Sequence, residues 1–402
     1  MGILKKYVSR LEDPNHPLLA PTLWGLQSWG MWQPNSGPSR IIYNLIHLAA
    51  ILFVFSQYVE LWLIRTDLEL ALRNLSVTML SSVCVVKAGT FVVWQTYWRD
   101  VILFVSTLEN NQLEKKDKTT DACIESYTKY SRTVTYSYWS LVTATVFTVI
   151  LAPLGIYLSS AEQRQLMKNG TVPYPEIMSS WVPFDKTKGF GYWLVILEHS
   201  LICFYGGGIV ANYDSNTVAL MSFFCGQLEL LTENCKRLFG EDNEIVSNSE
   251  ALGRIKQCHI HHLSLIRYSK ILNSLLSPVM FLYVVICSLM ICASAILLTK
   301  EGTTTMQRMW VAEYLVALIA QLFLYCWHSN EVYFMSQKVD QGVYESNWWQ
   351  CEVRLRRCVL LLGGQLRATI LFEAGPFTAL SVATFVAILK GSYSYYTLLS
   401  SN

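Results

Sequence analysis

The chain has 402 residues, 52% of them hydrophobic and only 15% charged, with a formal net charge of +2 and a mean hydropathy of +0.31. A soluble domain carries about 25% charged residues, so this chain lacks the polar side chains needed to cover a water-facing surface. A net charge of +2 says nothing about nucleic acid by itself, but no basic tail or interleaved basic and aromatic patch appears, so no nucleic-acid partner is expected. Charged segments alternating with long apolar runs indicate a polytopic membrane protein.

The opening "MGILKKYVSRLEDPNHPLL" has no apolar core of signal-peptide length, so no cleaved signal is expected. It also lacks the Ser/Thr usual at the sixth position of a myristoylation site. Residues 1–40 are therefore read as a cytoplasmic N-terminal segment. A membrane-spanning helix needs about 20 mostly apolar residues. Seven stretches meet that: Ile41–Ile64, Leu75–Trp94, Tyr136–Leu158, Gly191–Tyr213, Ile271–Leu298, Trp310–Trp327 and Pro376–Leu399. Lys87 interrupts the second and Glu198–His199 the fourth. An eighth run, Cys358–Phe372, contains Arg367 and follows Arg354, Arg356 and Arg357, which suits a helix outside the bilayer. The predicted organisation is then helices 1–6 over 41–335, a cytoplasmic anchor helix in 336–375 and a pore-lining helix over 376–402. In "EAGP" (Glu373–Pro376), Gly375 is expected to end one helix and Pro376 to start the next.

Orientation follows from Lys and Arg. The N-terminal segment and loops 2–3, 4–5 and 6–7 hold 21 of them, against 8 on the other side, which predicts a cytoplasmic N-terminus and an extracellular C-terminus. The sequons at Asn74 and Asn169 fall on the outer side, and Asn169, in a long polar loop, is the better glycosylation candidate. All 11 cysteines lie in spans or in segments assigned to the cytoplasm, so no outer disulfide is expected.

These features carry a resemblance. The closing "LRATILFEAGPFTALSVATFVAILKGSYSYYTLL", together with "VYESNWW" and "SWVPFD", resembles the corresponding patterns of insect odorant receptors, in matching order over essentially the whole chain. The related gustatory receptors end differently, and the chain lacks the long loop 4–5 insertion of the common co-receptor. The resemblance implies a ligand-tuning subunit of a non-selective cation channel in the plasma membrane of sensory neurons. Its partners would be co-receptor subunits, in a tetramer, and its ligand a small volatile compound held in the outer half of the bundle. The last helices would surround the pore. A homomeric, gustatory-type channel is the first alternative. A G-protein-coupled receptor would have the opposite orientation, and a transporter would show repeats with broken spans, which the sequence lacks.

An odorant pocket should be apolar with a few orienting hydroxyls or rings. Taking the helices from the family and the residues from position along each span, the candidates are Met79, Ser82 and Val83; Val149, Ile150, Pro153 and Tyr157; Trp193, Ile196, Leu197 and Ser200; and Tyr314, Leu318 and Gln321. The same positions also suit plain core packing. A gate that closes by dewetting needs a ring of branched apolar side chains, for which Val382, Val386 and Leu389 are the candidates. Lys390 is either a pore-facing charge or an interfacial anchor that snorkels. "CHIHH" (Cys258–His262) puts His259 and His262 on one helix face but lacks a full ligand set, so no metal site is predicted. Glu198 and His199 fit a structural hydrogen bond better than a proton relay. No nucleophile elbow, P-loop or HExxH motif is present; neither enzyme activity nor a cofactor is expected.

Overall fold

A computed structural model describes residues 11–159, 161–168, 174–187, 189–240, 246–299 and 305–400. The helices in chain order are α1 (Ala20–Ser28), α2 (Pro38–Leu63), α3 (Leu68–Val93), α4 (Gln95–Leu113), α5 (Lys118–Ser159), α6 (Ala161–Lys168), α7 (Gly189–Lys236), α8 (Asn248–Thr299), α9 (Thr305–Glu345), α10 (Val353–Leu366) and α11 (Val382–Ser400). A two-stranded antiparallel hairpin, β1 (Glu373–Ala374) with β2 (Thr378–Ala379), joins the last two helices. Among the described residues, α2, α5, α7, α8 and α9 are long and apolar enough to cross a membrane, and the bent pair α3–α4 would make a sixth. α11, which carries Lys390 and a Ser/Tyr run, is not among them.

Helix length decides where the extra mass goes. α7 has 48 residues and α8 has 52, about 72 and 78 Å at 1.5 Å per residue. A hydrocarbon core is about 30 Å thick, so both project far beyond it. Their projecting ends gather with α4, α10 and the start of α5 into a packed anchor at one end of the bundle. The opposite end carries the α2–α3 turn, α6 and residues 174–187.

The N-terminal segment is part of this packing. Leu18, Leu19, Leu26 and Met31 are buried, and α1 lies against α7. Gly208 permits that approach, because a Cβ there would meet the Trp29 indole at 2.2 Å. α4 turns 78° away from α3 and carries Arg99, Asp100 and Glu109, so within the bent pair α3 is the part that suits a membrane crossing and α4 lies beyond it. Glu109 is fully buried, its carboxylate accepting from the Tyr127 hydroxyl at 2.7 Å and the Leu18 N–H at 3.4 Å. Burial pushes its carboxyl up to about 7, outweighing those two bonds. A carboxyl raised in the folded state stabilises it fully below the ordinary value of 4.5, and that contribution is lost as pH rises through 7. The span is worth about 3 kcal/mol. Glu109→Gln should therefore melt later than wild type in detergent at pH 7.5, with a flatter profile between pH 4.5 and 7. Parallel melting profiles for the two proteins would overturn this account.

The C-terminal elements depart from the expected helix–turn–helix. α10 ends at Leu366 rather than Phe372, and α11 starts at Val382 rather than Pro376. Gly375, at φ +66°, lies in the hairpin turn where left-handed backbone suits glycine; it does not cap a helix. Residues 378–379 pair back onto 373–374, so helix cannot begin until the hairpin is left behind. Ser381 then caps α11, its Oγ accepting from the Thr384 N–H at 3.2 Å. The boundary expected at 375/376 thus falls inside the hairpin. The hairpin is strapped to α8, with the Gly375 N–H donating to Ser277 O at 3.1 Å and Ser277 Oγ at 3.0 Å.

Candidate ligand site and pore helix

At the loop end, the segment before α7 is folded back over the bundle. The Ser180 hydroxyl and His199 Nε2 are 2.8 Å apart, and the Trp181 N–H donates to Ser56 O at 3.3 Å. Lys186 reaches Glu60 at 3.0 Å, Glu176 at 3.4 Å and Ser180 O at 2.9 Å. Rings of Tyr157, Tyr174, Tyr192 and Trp193 follow one another at centroid separations of 5.3–6.4 Å. This segment closes the interior from that side. His199 is buried against the loop, which gives it the structural role expected of it.

Deeper in the bundle lies a centre made from five helices. Lys87 of α3 and Asp214 of α7 form an ion pair at 2.5 Å, with side chains 0% and 3% exposed. The remaining lone pairs of Asp214 are occupied: Tyr138 of α5 donates at 2.6 Å, Gln321 of α9 at 2.5 Å, and the Tyr325 hydroxyl of α9 also donates to it. Around the ammonium stand the rings of Tyr213, Tyr283 and Tyr325, with centroids 5.2–5.6 Å from Nζ. A buried carboxylate with four donors and an ammonium ringed by aromatic faces is a compensated pair. Losing either partner would strand the other.

α11 packs on α8 and α9. Phe385 stacks edge-on against Phe323 at 5.4 Å, and the buried Ser392 hydroxyl donates to Ser288 O at 3.1 Å. Phe385, Ile388 and Leu389 lie against the core. The opposite face, Ala383, Val386, Ala387, Lys390, Tyr393, Ser394 and Thr397, is exposed. That stripe mixes small apolar residues with a cation and hydroxyls.

The sequence profile described as 7tm Odorant receptor matches residues 67–393. The chain belongs to the 7tm odorant receptor family. Relatives span nearly the whole receptor. Odorant receptor Or2 of Anopheles gambiae is 23% identical over 381 residues, covering 92% of this chain and 95% of its own. Odorant receptor 94a of Drosophila melanogaster is 21% identical over 413 residues, covering 98% and 99%. The structure of the insect olfactory receptor OR5 from Machilis hrabei in complex with eugenol superposes with a TM-score of 0.80 at 16% identity, over 97% of this chain and all of that one. That likeness establishes the fold, a seven-helix membrane bundle, and the family match makes the chain an odorant receptor, not an enzyme.

The receptor's interior takes up some of the residues expected at a ligand site and leaves others out. Val83, Leu318 and Gln321 are buried inside the bundle, and Tyr314 turns inward with its hydroxyl 4.0 Å from Met290 Sδ. Met79 packs against the same core. Pro153 is buried, and Val149, Ile150, Ile196 and Ser200 are half-buried. Ser82 faces α2, where its hydroxyl pairs with Tyr58 at 2.9 Å. Tyr157 joins the loop-end rings. Trp193 and Leu197 point outward, 68% and 56% exposed. On α11, Val386 and Lys390 lie on the open face, Leu389 lies against the core, and Val382 is half-buried at the helix start.

Asp214, Tyr138 and Tyr325 were not among the expected site residues. The fourth predicted span ends at Tyr213, one residue short of Asp214. The available signal was Lys87 itself, since an ionisable residue within a span calls for a partner. In "CHIHH", His261 donates to Gln227 Oε1 at 3.0 Å and His262 lies 3.5 Å from Gln365 Nε2; no metal-holding group occurs among the described residues. Asn74 is buried and bonded to Thr78 at 3.1 Å, whereas Asn169 lies outside the described residues.

Proposed function

We propose that this odorant receptor is the ligand-binding subunit of a ligand-gated, non-selective cation channel. It assembles with co-receptor subunits, as a tetramer, in the plasma membrane of sensory neurons. A small volatile compound binds in the interior below the folded-back loop, among Val83, Tyr314, Leu318 and their neighbours. The eugenol complex of the Machilis hrabei receptor supports an organic ligand of that size. The anchor end is cytoplasmic and α11 ends outside.

The open face of α11 carries the reading. A lysine midway along an exposed helix stripe is costly against lipid tails, by about 2.5–3.5 kcal/mol at a bilayer centre. Hydroxyls at Tyr393, Ser394 and Thr397 extend the same stripe. Facing a water-filled pore shared with other subunits removes that cost and places Val386 as the branched apolar residue of a dewetting gate. Cysteine accessibility separates the two faces. Val386→Cys, coexpressed with a co-receptor, should lose most odorant-evoked current to a charged thiol reagent, while Ile388→Cys should match the wild-type control. Equal inhibition of both variants would remove the pore assignment. Whole-cell recording across a broad odorant panel tests the function itself, and cation current without the co-receptor would favour the homomeric alternative.

A further inference from the structure

α9 touches three regions in succession. Tyr314 and Leu318 face the interior proposed to take the ligand. Gln321 and Tyr325, about one and two turns further along, donate to Asp214. Phe323 meets Phe385 of α11, and the Ser329 hydroxyl donates to Leu380 O at 2.7 Å, just before the cap of α11. The ligand region, the buried ion pair and the root of the pore helix therefore share one helix. Tyr138 gives the same carboxylate an equivalent bond from α5, but α5 packs on α7 and α9 and has no comparable packing against α11.

The ion pair itself is too strong to serve as the moving part. Stranding one member of a buried pair shifts an equilibrium roughly a hundredfold to several-thousandfold. A ligand typically biases two states by about 5- to 150-fold. Ligand occupancy can tilt helices around the pair more readily than it can break it.

Resting on the channel reading above, we infer that the Lys87–Asp214 centre is the fixed fulcrum on which α9 turns when ligand binds, and that Tyr325 is the positioning residue tying α9 to it. Motion at Tyr314 and Leu318 is then returned on the far side of the fulcrum as movement of the α11 root through Phe323 and Ser329.

Tyr325→Phe and Tyr138→Phe each delete one hydroxyl donor to Asp214 and keep the ion pair. A residue that merely stabilises the bundle would make the two variants alike. The receptor is coexpressed with a co-receptor, labelled at the cell surface and driven by the most effective member of a panel of small alcohols, esters and phenols. Per surface receptor, Tyr325→Phe should give at least fivefold less maximal current than Tyr138→Phe, with the reversal potential unchanged. Ser329→Ala, which cuts the other arm of α9, should show the same loss. Equal currents from the two tyrosine variants would overturn the inference. So would an undiminished current per surface receptor from Ser329→Ala, which decides the matter where Tyr325→Phe does not reach the surface. A silent wild type would instead refute the channel reading on which the inference rests.

Discussion

Asp214→Asn should remove most of the receptor from the cell surface. The substitution keeps size and shape but leaves the Lys87 ammonium, 0% exposed, with no counter-charge, only a neutral amide oxygen and aromatic faces. Breaking a buried pair from one side costs about 3–5 kcal/mol, a large part of the 5–15 kcal/mol that typically holds a domain folded. Ring faces return only about 2 kcal/mol when desolvated. Lys87→Met should be similarly damaging, because Asp214 would remain charged among neutral donors. The double variant Lys87→Met/Asp214→Asn strands no charge and should recover a substantial share of surface protein. Surface biotinylation and thermal inactivation in detergent measure this. A double variant no better than either single one would mean that the two charges are not energetically coupled.

Gly342→Ala should be the most damaging single-methyl change in the anchor. A Cβ at that position of α9 would stand 2.4 Å from Thr232 O and 3.1 Å from Thr232 C, which are backbone atoms of α7. A side chain could rotate away, but this carbonyl cannot move unless α7 and α9 separate. Overpacking of this kind costs about 1–3 kcal/mol, and the better helix propensity of alanine returns at most about 1 kcal/mol. Gly364 of α10 is the contrasting position, with nothing within 4 Å of its Cβ. Gly364→Ala should be neutral or slightly stabilising. Melting temperatures of the two variants in detergent should move in opposite directions, and a wild-type melting temperature for Gly342→Ala would refute the close-packing argument.

The spans were legible where periodicity and apolarity are local properties. Ile41–Ile64 was expected and Pro38–Leu63 is found. The same local periodicity runs on past span 4 and ahead of span 5, in the long arms of α7 and α8. The last helix was misplaced by six residues because Gly-Pro is a sound local signal for a helix start, and nothing local reports that 378–379 fold back onto 373–374. The ion pair was missed for a related reason. Lys87 counts against the span that contains it, and Asp214 marks the apparent end of another. Only the packing of α3 on α7 turns these two interruptions into one compensated centre. The outward turn of Trp193 and Leu197 was likewise hidden, because position along a span gives depth but not rotation.

The loop that closes the interior is held by charge and hydrogen bonds, with Lys186 reaching two carboxylates and a carbonyl and Ser180 meeting His199. All 11 cysteines are free. Folding of this loop end therefore rests on no disulfide, and production in a host with a reducing compartment should leave it correctly formed. The same tether can be loosened by ionic strength where reductants have no effect, which offers a reversible handle on access to the interior proposed to take the ligand.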